Sequence, residues 1–229
     1  MRTPLLTACL LLGATKAAAE DSTKSVDWSA DAAIVSDYRW RGVSLTDNDP
    51  AIQGSVTAAL ASGFYVNAWG SLPTQSAGDE EIDLSAGYAF SIAGGDADVS
   101  VVQYIYPGLD GVDYTNFVAL YAHPLGGWTL RGRLEYAPPQ RNVWDESFYA
   151  ALETEKPIGQ TGFTFLASAG WEEGAFTLDG EKWDYSIGLG YQWGPAAFNL
   201  AYVDTDEKAP AGQGDVYGGG AVFSIGAAF

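Results

Sequence analysis

Charged and apolar residues alternate in one short stretch near the middle of the chain. Arg131, Arg133 and Glu135 share one parity, whereas Leu134 and Tyr136 occupy the other. Successive side chains of a β-strand point to opposite faces, so this pattern predicts a strand with one charged and one apolar face. Guanidinium and carboxylate groups on a shared face can form ion pairs or line an aqueous passage.

The same parity rule collects a larger set of polar residues opposite the apolar positions. We predict that these residues line the interior of a pore: Asp31, Asp37, Arg39, Arg41, Asp83, Arg131, Arg133, Glu135, Glu153, Glu155, Asp184, Gln192 and Asn199. Four of the 11 lysines and arginines fall in this set, so the predicted interior is basic within an acidic protein. One hypothesis is an anion-contacting ladder that sets ion selectivity. The other is a structural network in which arginine–carboxylate pairs brace a narrow barrel.

Histidine occurs once, at His123, just before a predicted turn at 124–127. Barrel enzymes of the outer membrane would need a histidine beside a nucleophile or an acid at the outer end of the barrel. His123 falls at the opposite end, so we predict that the protein is not an enzyme. The sequence also has no phosphate loop, zinc spacing or dinucleotide fingerprint, and no cofactor is expected.

Acidic residues cluster in the predicted loops at 47–49, 79–81 and 204–207. Their oxygens could gather around Ca²⁺, but none of the clusters has the full spacing of a calcium-binding loop. The sequence favours a solvated acidic rim, which divalent cations would bridge to lipopolysaccharide.

Twelve alternating segments follow a short polar lead. Their approximate ranges are 27–43, 51–61, 64–72, 81–92, 97–106, 114–123, 128–137, 147–156, 163–172, 182–193, 196–204 and 216–229. Lengths of about 9–11 residues match tilted strands that cross a bilayer. The sequence therefore predicts an all-β fold, a transmembrane antiparallel β-barrel of twelve strands. The alternative is a soluble β-sandwich or lipocalin-like barrel. Such a fold would place its large apolar residues inside, whereas the opposite face of these segments consists of glycine, serine and charged residues and would make a wet core.

Short and long connections alternate strictly along the chain. The short ones lie at 62–63, 93–95, 124–127, 157–162 and 194–195, and the longer, more polar ones at 44–50, 73–80, 107–113, 138–146, 173–181 and 205–215. Short periplasmic turns and longer external loops are typical of outer-membrane barrels. An even strand number places both termini on the side of the short turns, so the two patterns agree.

Both ends of the chain carry export signals. Phe223, Ile225 and the C-terminal Phe229 share one face of the last segment, a pattern that resembles the sorting signal of outer-membrane barrels. At the other end, Arg2, an apolar run and an Ala-x-Ala site predict a signal peptide at 1–19, cleaved after Ala19. Residues 20–229 would then form the barrel domain.

Composition excludes one class of partner. Removing residues 1–19 takes away two bases and no acid, so the formal charge changes from −18 to −20. A chain this acidic is not expected to bind nucleic acid, since phosphate contacts need lysine and arginine.

Residues 37–54, DYRWRGVSLTDNDPAIQG, resemble the TorF family of putative porins, through Tyr38, Arg41-Gly42-Val43-Ser44, Pro50 and Gln53-Gly54. A second match is Gly63-Phe64-Tyr65 followed by Trp69 and Ser71. Family members usually have phenylalanine at the position of Trp40 and glycine at that of Asn67. The resemblance implies an outer-membrane barrel and brings no established substrate or catalytic residue.

These observations predict a porin-like channel of the cell outer membrane for small hydrophilic solutes or ions, with selectivity set by charges in the lumen. The expected partners are the lipid bilayer, lipopolysaccharide, the barrel-assembly machinery and the solutes. Small inward residues such as Gly188 and Ser224 favour a narrow open channel over a packed plug. The alternative function is a structural or surface-binding barrel without physiological flux.

Overall fold

The computed structural model of the chain describes residues 26–74, 80–109, 111–210 and 215–229. The predicted signal peptide lies outside these residues. The strands are β1 (Val26–Val35), β2 (Arg39–Trp40), β3 (Val43–Ser44), β4 (Ala51–Leu60), β5 (Phe64–Leu72), β6 (Glu81–Ile92), β7 (Gly95–Ile105), β8 (Tyr114–Leu125), β9 (Trp128–Ala137), β10 (Ser147–Pro157), β11 (Phe163–Gly174), β12 (Glu181–Trp193), β13 (Ala196–Thr205) and β14 (Gly220–Ala228). In the described parts of the chain, no helix is long and apolar enough to cross a membrane.

All of these strands except β2 and β3 close into one antiparallel barrel of twelve strands. β1 completes the ring by pairing with both β4 and β14. At the seam, the amide of Phe229 donates to the Ala30 carbonyl at 2.8 Å, and the amide of Ala30 donates back to Phe229 at 3.1 Å. Because every barrel strand has two partners, the sheet has no open edge. The predicted twelve-stranded barrel is confirmed.

The outward face of the barrel is apolar. Ile187 and Leu134 are 54% and 50% exposed, and Trp183 and Trp193 near the two ends of β12 are exposed as well. Phe223, Ile225 and Phe229 also lie on the exposed surface. The inward parity carries the buried polar side chains instead. This is the arrangement of a barrel whose outside meets lipid, and it is the reverse of a soluble β-sandwich.

The short connections lie at one end of the barrel and the long ones at the other, as the sequence predicts. Gly63 shows why one turn is so tight. Its φ is 100°, in the left-handed region, and a Cβ there would collide with the Ala89 carbonyl oxygen. The amide of Ala89 donates to the Gly63 carbonyl at 2.9 Å, which holds the turn against the next hairpin.

The first strand is shorter than the sequence predicts. β1 ends at Val35 rather than near residue 43, and residues 36–50, here called the inner segment, fold as the small hairpin β2–β3. Arg41 (φ 49°) and Gly42 (φ 87°) make its turn. Arg41 contacts β9, which stands six strands from β1 in either direction around the ring. The inner segment therefore crosses the interior of the barrel.

Candidate functional site

The predicted pore-lining residues fall into two groups in the structure. Those on the barrel wall, in β1, β6, β9, β10, β12 and β13, are Asp31, Asp83, Arg131, Arg133, Glu135, Glu153, Glu155, Asp184, Gln192 and Asn199. Asp37, Arg39 and Arg41 belong instead to the inner segment, because β1 ends before them. Taken together, most of these residues are buried, although they are polar or charged.

Arginines and glutamates form a ladder across β9 and β10. Arg131 and Glu153 are direct partners in the strand register, and their Nη1 and Oε2 atoms are 3.0 Å apart. Arg133 binds both Glu153 Oε1 and Glu135 Oε1 at 3.0 Å. The alternating parity that brings these residues to one face was the sequence signal, and the structure adds the pairing across the two strands.

Arg41 joins this ladder to the inner segment. Its Nη2 lies 2.6 Å from Glu135 Oε2, and its Nη1 contacts Glu172 Oε1 on β11. The guanidinium carbon lies 4.0 Å from the centre of the Tyr149 ring and 4.1 Å from that of the Trp40 ring. Burial lowers the pKa of Arg41, but the carboxylates of Glu172 and Glu135 raise it by more, so the guanidinium stays charged.

Three residues that were not predicted to line the interior extend the network. Lys182 Nζ lies 3.4 Å from Glu172 Oε2 and 3.7 Å from Glu207 Oε2. Lys182 shares the parity of Asp184, so the alternation of β12 already places it inside. Glu172 lies opposite Lys182 in the register of β11 and β12. Parity could therefore have found both. Glu207 belongs to the acidic cluster 204–207, which was predicted to be a solvated rim, and for this residue the prediction is wrong, because its side chain is 4% exposed and pairs with Lys182.

Asp37 and Arg39 stabilise the inner segment itself. Arg39 Nε donates to Asp37 Oδ2 at 2.5 Å, and the hydroxyl of Ser44 donates to Asp37 Oδ1 at 2.6 Å. Arg39 also donates to the Asn48 side chain at 2.9 Å and to the Gly218 carbonyl at 2.6 Å. These bonds hold the hairpin closed and attach it to the loop before β14.

The solvent exposure of the side chains in this network decreases from the short-turn end of the barrel towards the loop end. The side chains of Arg131 and Glu153 are 24% exposed, that of Arg133 is 8% exposed and that of Arg41 is 5% exposed. The interior is therefore more open on the side of the short turns, and it narrows where the inner segment meets β9 and β11.

Within the described part of the interior, four further carboxylates are buried and form no ion pair with another described residue. Tyrosine hydroxyls donate to three of them: Tyr106 to Glu81 at 3.2 Å, Tyr65 to Asp98 at 2.9 Å and Tyr149 to Asp184 at 3.3 Å. The fourth is Asp83, only 1% exposed, and neither of its oxygens has a hydrogen-bond partner among the described residues.

Aromatic rings pack at the loop end of the interior. Tyr114 stacks on Tyr104 with ring centres 4.5 Å apart, and it contacts Phe176 at 4.8 Å. Above these rings opens a cavity of about 310 Å³, lined in part by Tyr106, Phe176 and the exposed Trp144. This cavity faces the external side of the predicted topology.

His123 lies near the short turn between β8 and β9, as the sequence predicts. Its Nδ1 is 3.3 Å from the Tyr121 hydroxyl. Among the described residues, no three histidine, cysteine or acidic side chains come together in a group that could hold a metal ion.

The closed barrel, its apolar outside and its charged inside define a porin-type β-barrel. Two solved porins share the fold: the KdgM porin, at 8% identity and TM-score 0.60 over 88% of this chain and 98% of that one, and the NanC porin, at 9% identity and TM-score 0.59 over 89% and 99%. An outer-membrane channel from Pseudomonas putida F1 matches at 12% identity and TM-score 0.54, over 90% and 97% of the two chains. No curated protein sequence matches.

The chain belongs to the Gcw_chp family, described as bacterial proteins of unknown function, whose model matches residues 18–229. This family match does not confirm the resemblance to the TorF family, which rests on residues 37–71 alone.

Proposed function

We propose that the protein is an outer-membrane channel for the passive diffusion of small hydrophilic solutes or ions. The observation that carries the proposal is the pairing of a closed barrel and an apolar outer surface with an interior lined by charged and small polar side chains. A lipid-facing barrel has little need of a polar interior unless water enters it.

The passage would be widest at the short-turn end and narrowest at the inner segment. A solute would pass Arg131 and Glu153, which are partly exposed, before it reaches Arg41. At that level the side chains are almost fully buried, so passage requires rearrangement of the inner segment. Size would then be selected at the inner segment, and charge by the side chains around it.

A second candidate function is a surface-binding barrel without flux. Two observations favour it: the tight burial of Arg41 with Glu172, and the aromatic cavity with the exposed Trp144 at the loop end. Both candidates place the protein in the outer membrane, with the bilayer and lipopolysaccharide around it and the barrel-assembly machinery as its insertion partner. They differ in whether solutes cross.

Proteoliposome swelling separates the two candidates. Refolded full-length protein is incorporated into lipid vesicles, and swelling is measured with a series of neutral sugars and salts of increasing size, to which protein-free vesicles are impermeable. Folding is checked first, since a folded barrel migrates differently on a denaturing gel with and without boiling. Swelling that slows with increasing solute size supports the channel. Vesicles with folded protein that stay as impermeable as protein-free vesicles contradict it and favour the surface-binding barrel.

A further inference from the structure

The cavity at the loop end is built from three of the long loops. Its described lining includes Tyr106 and Val112 between β7 and β8, Asn142 and Trp144 between β9 and β10, and Phe176 between β11 and β12. Its volume of about 310 Å³ lies at the lower end of the range for small-molecule sites, about 300–1,000 Å³. The cavity therefore has room for a small molecule.

Hydrogen bonds hold two of these loops together. The amide of Tyr106 donates to Asp113 Oδ1 at 2.9 Å, and Asn142 Nδ2 donates to the Asp113 carbonyl at 2.7 Å. Gln140 and Val143 exchange backbone hydrogen bonds at 2.7 and 3.1 Å, which close the tip of the second loop. The walls of the cavity are thus preformed, as is usual for sites that bind small molecules.

Aromatic rings give the cavity flat surfaces. The ring planes of Tyr106 and Tyr114 are 23° apart, and those of Tyr114 and Tyr104 are 13° apart. The Tyr106 hydroxyl donates to Glu81 at 3.2 Å, which fixes the orientation of its ring. Trp144 is 89% exposed, so most of its ring surface is open to a ligand. Near-parallel rings suit a flat ring-shaped ligand better than a spherical group.

The described residues that line the cavity carry no charge. Besides the aromatic rings they are aliphatic, and their polar groups are the Asn142 amide and the tyrosine hydroxyls. In the described interior, five bases are each paired with a carboxylate of the protein: Arg39, Arg41, Arg131, Arg133 and Lys182. An anionic ligand would compete with these carboxylates. Because burying a charge without a partner is costly, the cavity favours an uncharged ligand.

Phe176 connects the cavity to the inner segment. Its ring packs against Tyr114, with ring centres 4.8 Å apart, and edge-on against Trp40 of the inner segment, at 5.7 Å. The Trp40 ring centre in turn lies 4.1 Å from the guanidinium carbon of Arg41. A ligand in the cavity therefore lies beside the narrowest part of the proposed passage.

We infer that this cavity binds a neutral saccharide at the external mouth of the barrel. The inference rests on the proposed channel function and names the class of solute that it favours. One face of a sugar ring carries C–H groups, which pack on aromatic rings, while its hydroxyls stay at the edge for hydrogen bonds. The Asn142 amide and the tyrosine hydroxyls supply polar partners that a purely apolar ligand would leave unused. Stacking on Trp144 would hold the sugar before it reaches the inner segment.

The test is isothermal titration calorimetry of maltose, a neutral disaccharide, into folded protein in micelles of a detergent without a sugar headgroup. Wild type is compared with Trp144→Ala. The matched control is Trp193→Ala, which removes an exposed tryptophan at the short-turn end. We expect Trp144→Ala to bind maltose about five-fold more weakly, the low end of the loss when a flat ring can no longer stack on an aromatic side chain. Trp193→Ala, and Trp144→Phe, which keeps a ring, should retain the wild-type affinity within about two-fold.

Three further probes test the class of ligand: a disaccharide of uronic acids, which is negatively charged, choline, which is positively charged, and benzyl alcohol, which is apolar. Each should bind more weakly than maltose. Tighter binding of any of the three overturns the neutral saccharide as the ligand. If Trp144→Ala does not fold, Ala175→Leu fills part of the cavity and should weaken maltose binding in the same direction.

The outcomes separate this inference from the proposed function. Absence of maltose binding to folded wild type overturns the inference, whereas proteoliposome swelling in neutral sugars would then still support the channel. Maltose binding that is equal in wild type and Trp144→Ala overturns the assignment to this cavity. Maltose binding that depends on Trp144, in protein that gives no swelling, supports the site and contradicts the channel.

Discussion

Arg41 is the residue whose replacement tests the interior network most sharply. It binds Glu135 Oε2 at 2.6 Å and also contacts Glu172, and both carboxylates are buried. Arg41→Met keeps most of the side-chain volume and removes the charge. Since breaking a buried ion pair from one side leaves an uncompensated charge, a typical loss is about 3–5 kcal/mol of unfolding free energy.

The structure reduces this figure, because both carboxylates keep another partner. Glu135 retains Arg133 at 3.0 Å, and Glu172 retains Lys182 at 3.4 Å. The variant also loses the cation–π contacts with Tyr149 and Trp40, each worth about 0.5–1 kcal/mol. We therefore expect Arg41→Met to lower the unfolding free energy by about 2–3 kcal/mol.

The assay is urea unfolding of the barrel in lipid vesicles, followed by tryptophan fluorescence. Arg141→Met, in an exposed loop, is the matched control and should change the free energy by less than about 0.5 kcal/mol. In the double variant Arg41→Met with Glu172→Gln, the loss should be smaller than the sum of the two single losses, because each single variant already removes the pair between Arg41 and Glu172. If Arg41→Met is as stable as wild type, or if the double variant shows the sum of the single losses, the network does not connect the inner segment to the wall as described.

Three further predictions concern the turns and the seam. Gly63→Ala should lower the unfolding free energy by about 1–3 kcal/mol, because the φ of 100° is strained for alanine and the new Cβ would collide with the Ala89 carbonyl oxygen. Gly132→Ala, which has open space around it, is the control in the same urea assay. Deletion of Phe229 removes two backbone hydrogen bonds to Ala30 and should lower the unfolding free energy by about 1–3 kcal/mol. It should also lower the fraction of protein that migrates as a folded barrel on unboiled gels, whereas Phe229→Tyr should leave this fraction unchanged. Equal folded fractions in the deletion variant and wild type would contradict a role of Phe229 in the seam. His123→Ala should leave swelling rates unchanged and stability within about 0.5 kcal/mol, and a large loss of function would show that the histidine takes part in it.

The wall of the barrel could be predicted from sequence because its determinants are local. Alternation in β12, from Trp183 to Gln192, fixes which side chains point inwards, and the short turns at one end fix the up-and-down order. The same parity would have identified Lys182 and Glu172 as interior residues, had it been applied to every charged position of these strands.

The inner segment could not be predicted in this way. Its fold depends on contacts between residues far apart in the chain: Arg41 lies 94 positions from Glu135 and 131 positions from Glu172. Residues 27–43 look like one long strand when only alternation is considered. Gly42 is the one local turn signal within this range, and it does not indicate that the chain leaves the barrel wall after Val35. For the same reason, parity shows that arginines and carboxylates face the interior but not which of them neutralise each other.

Single-channel recording from refolded full-length protein in a planar bilayer tests the central claim most directly. The proposed channel predicts discrete, uniform conductance steps, which should become larger in Arg41→Met because the inner segment loses its attachment to β9 and β11. No steps, from protein that migrates as a folded barrel on unboiled gels, would contradict the channel and leave the surface-binding barrel as the better explanation.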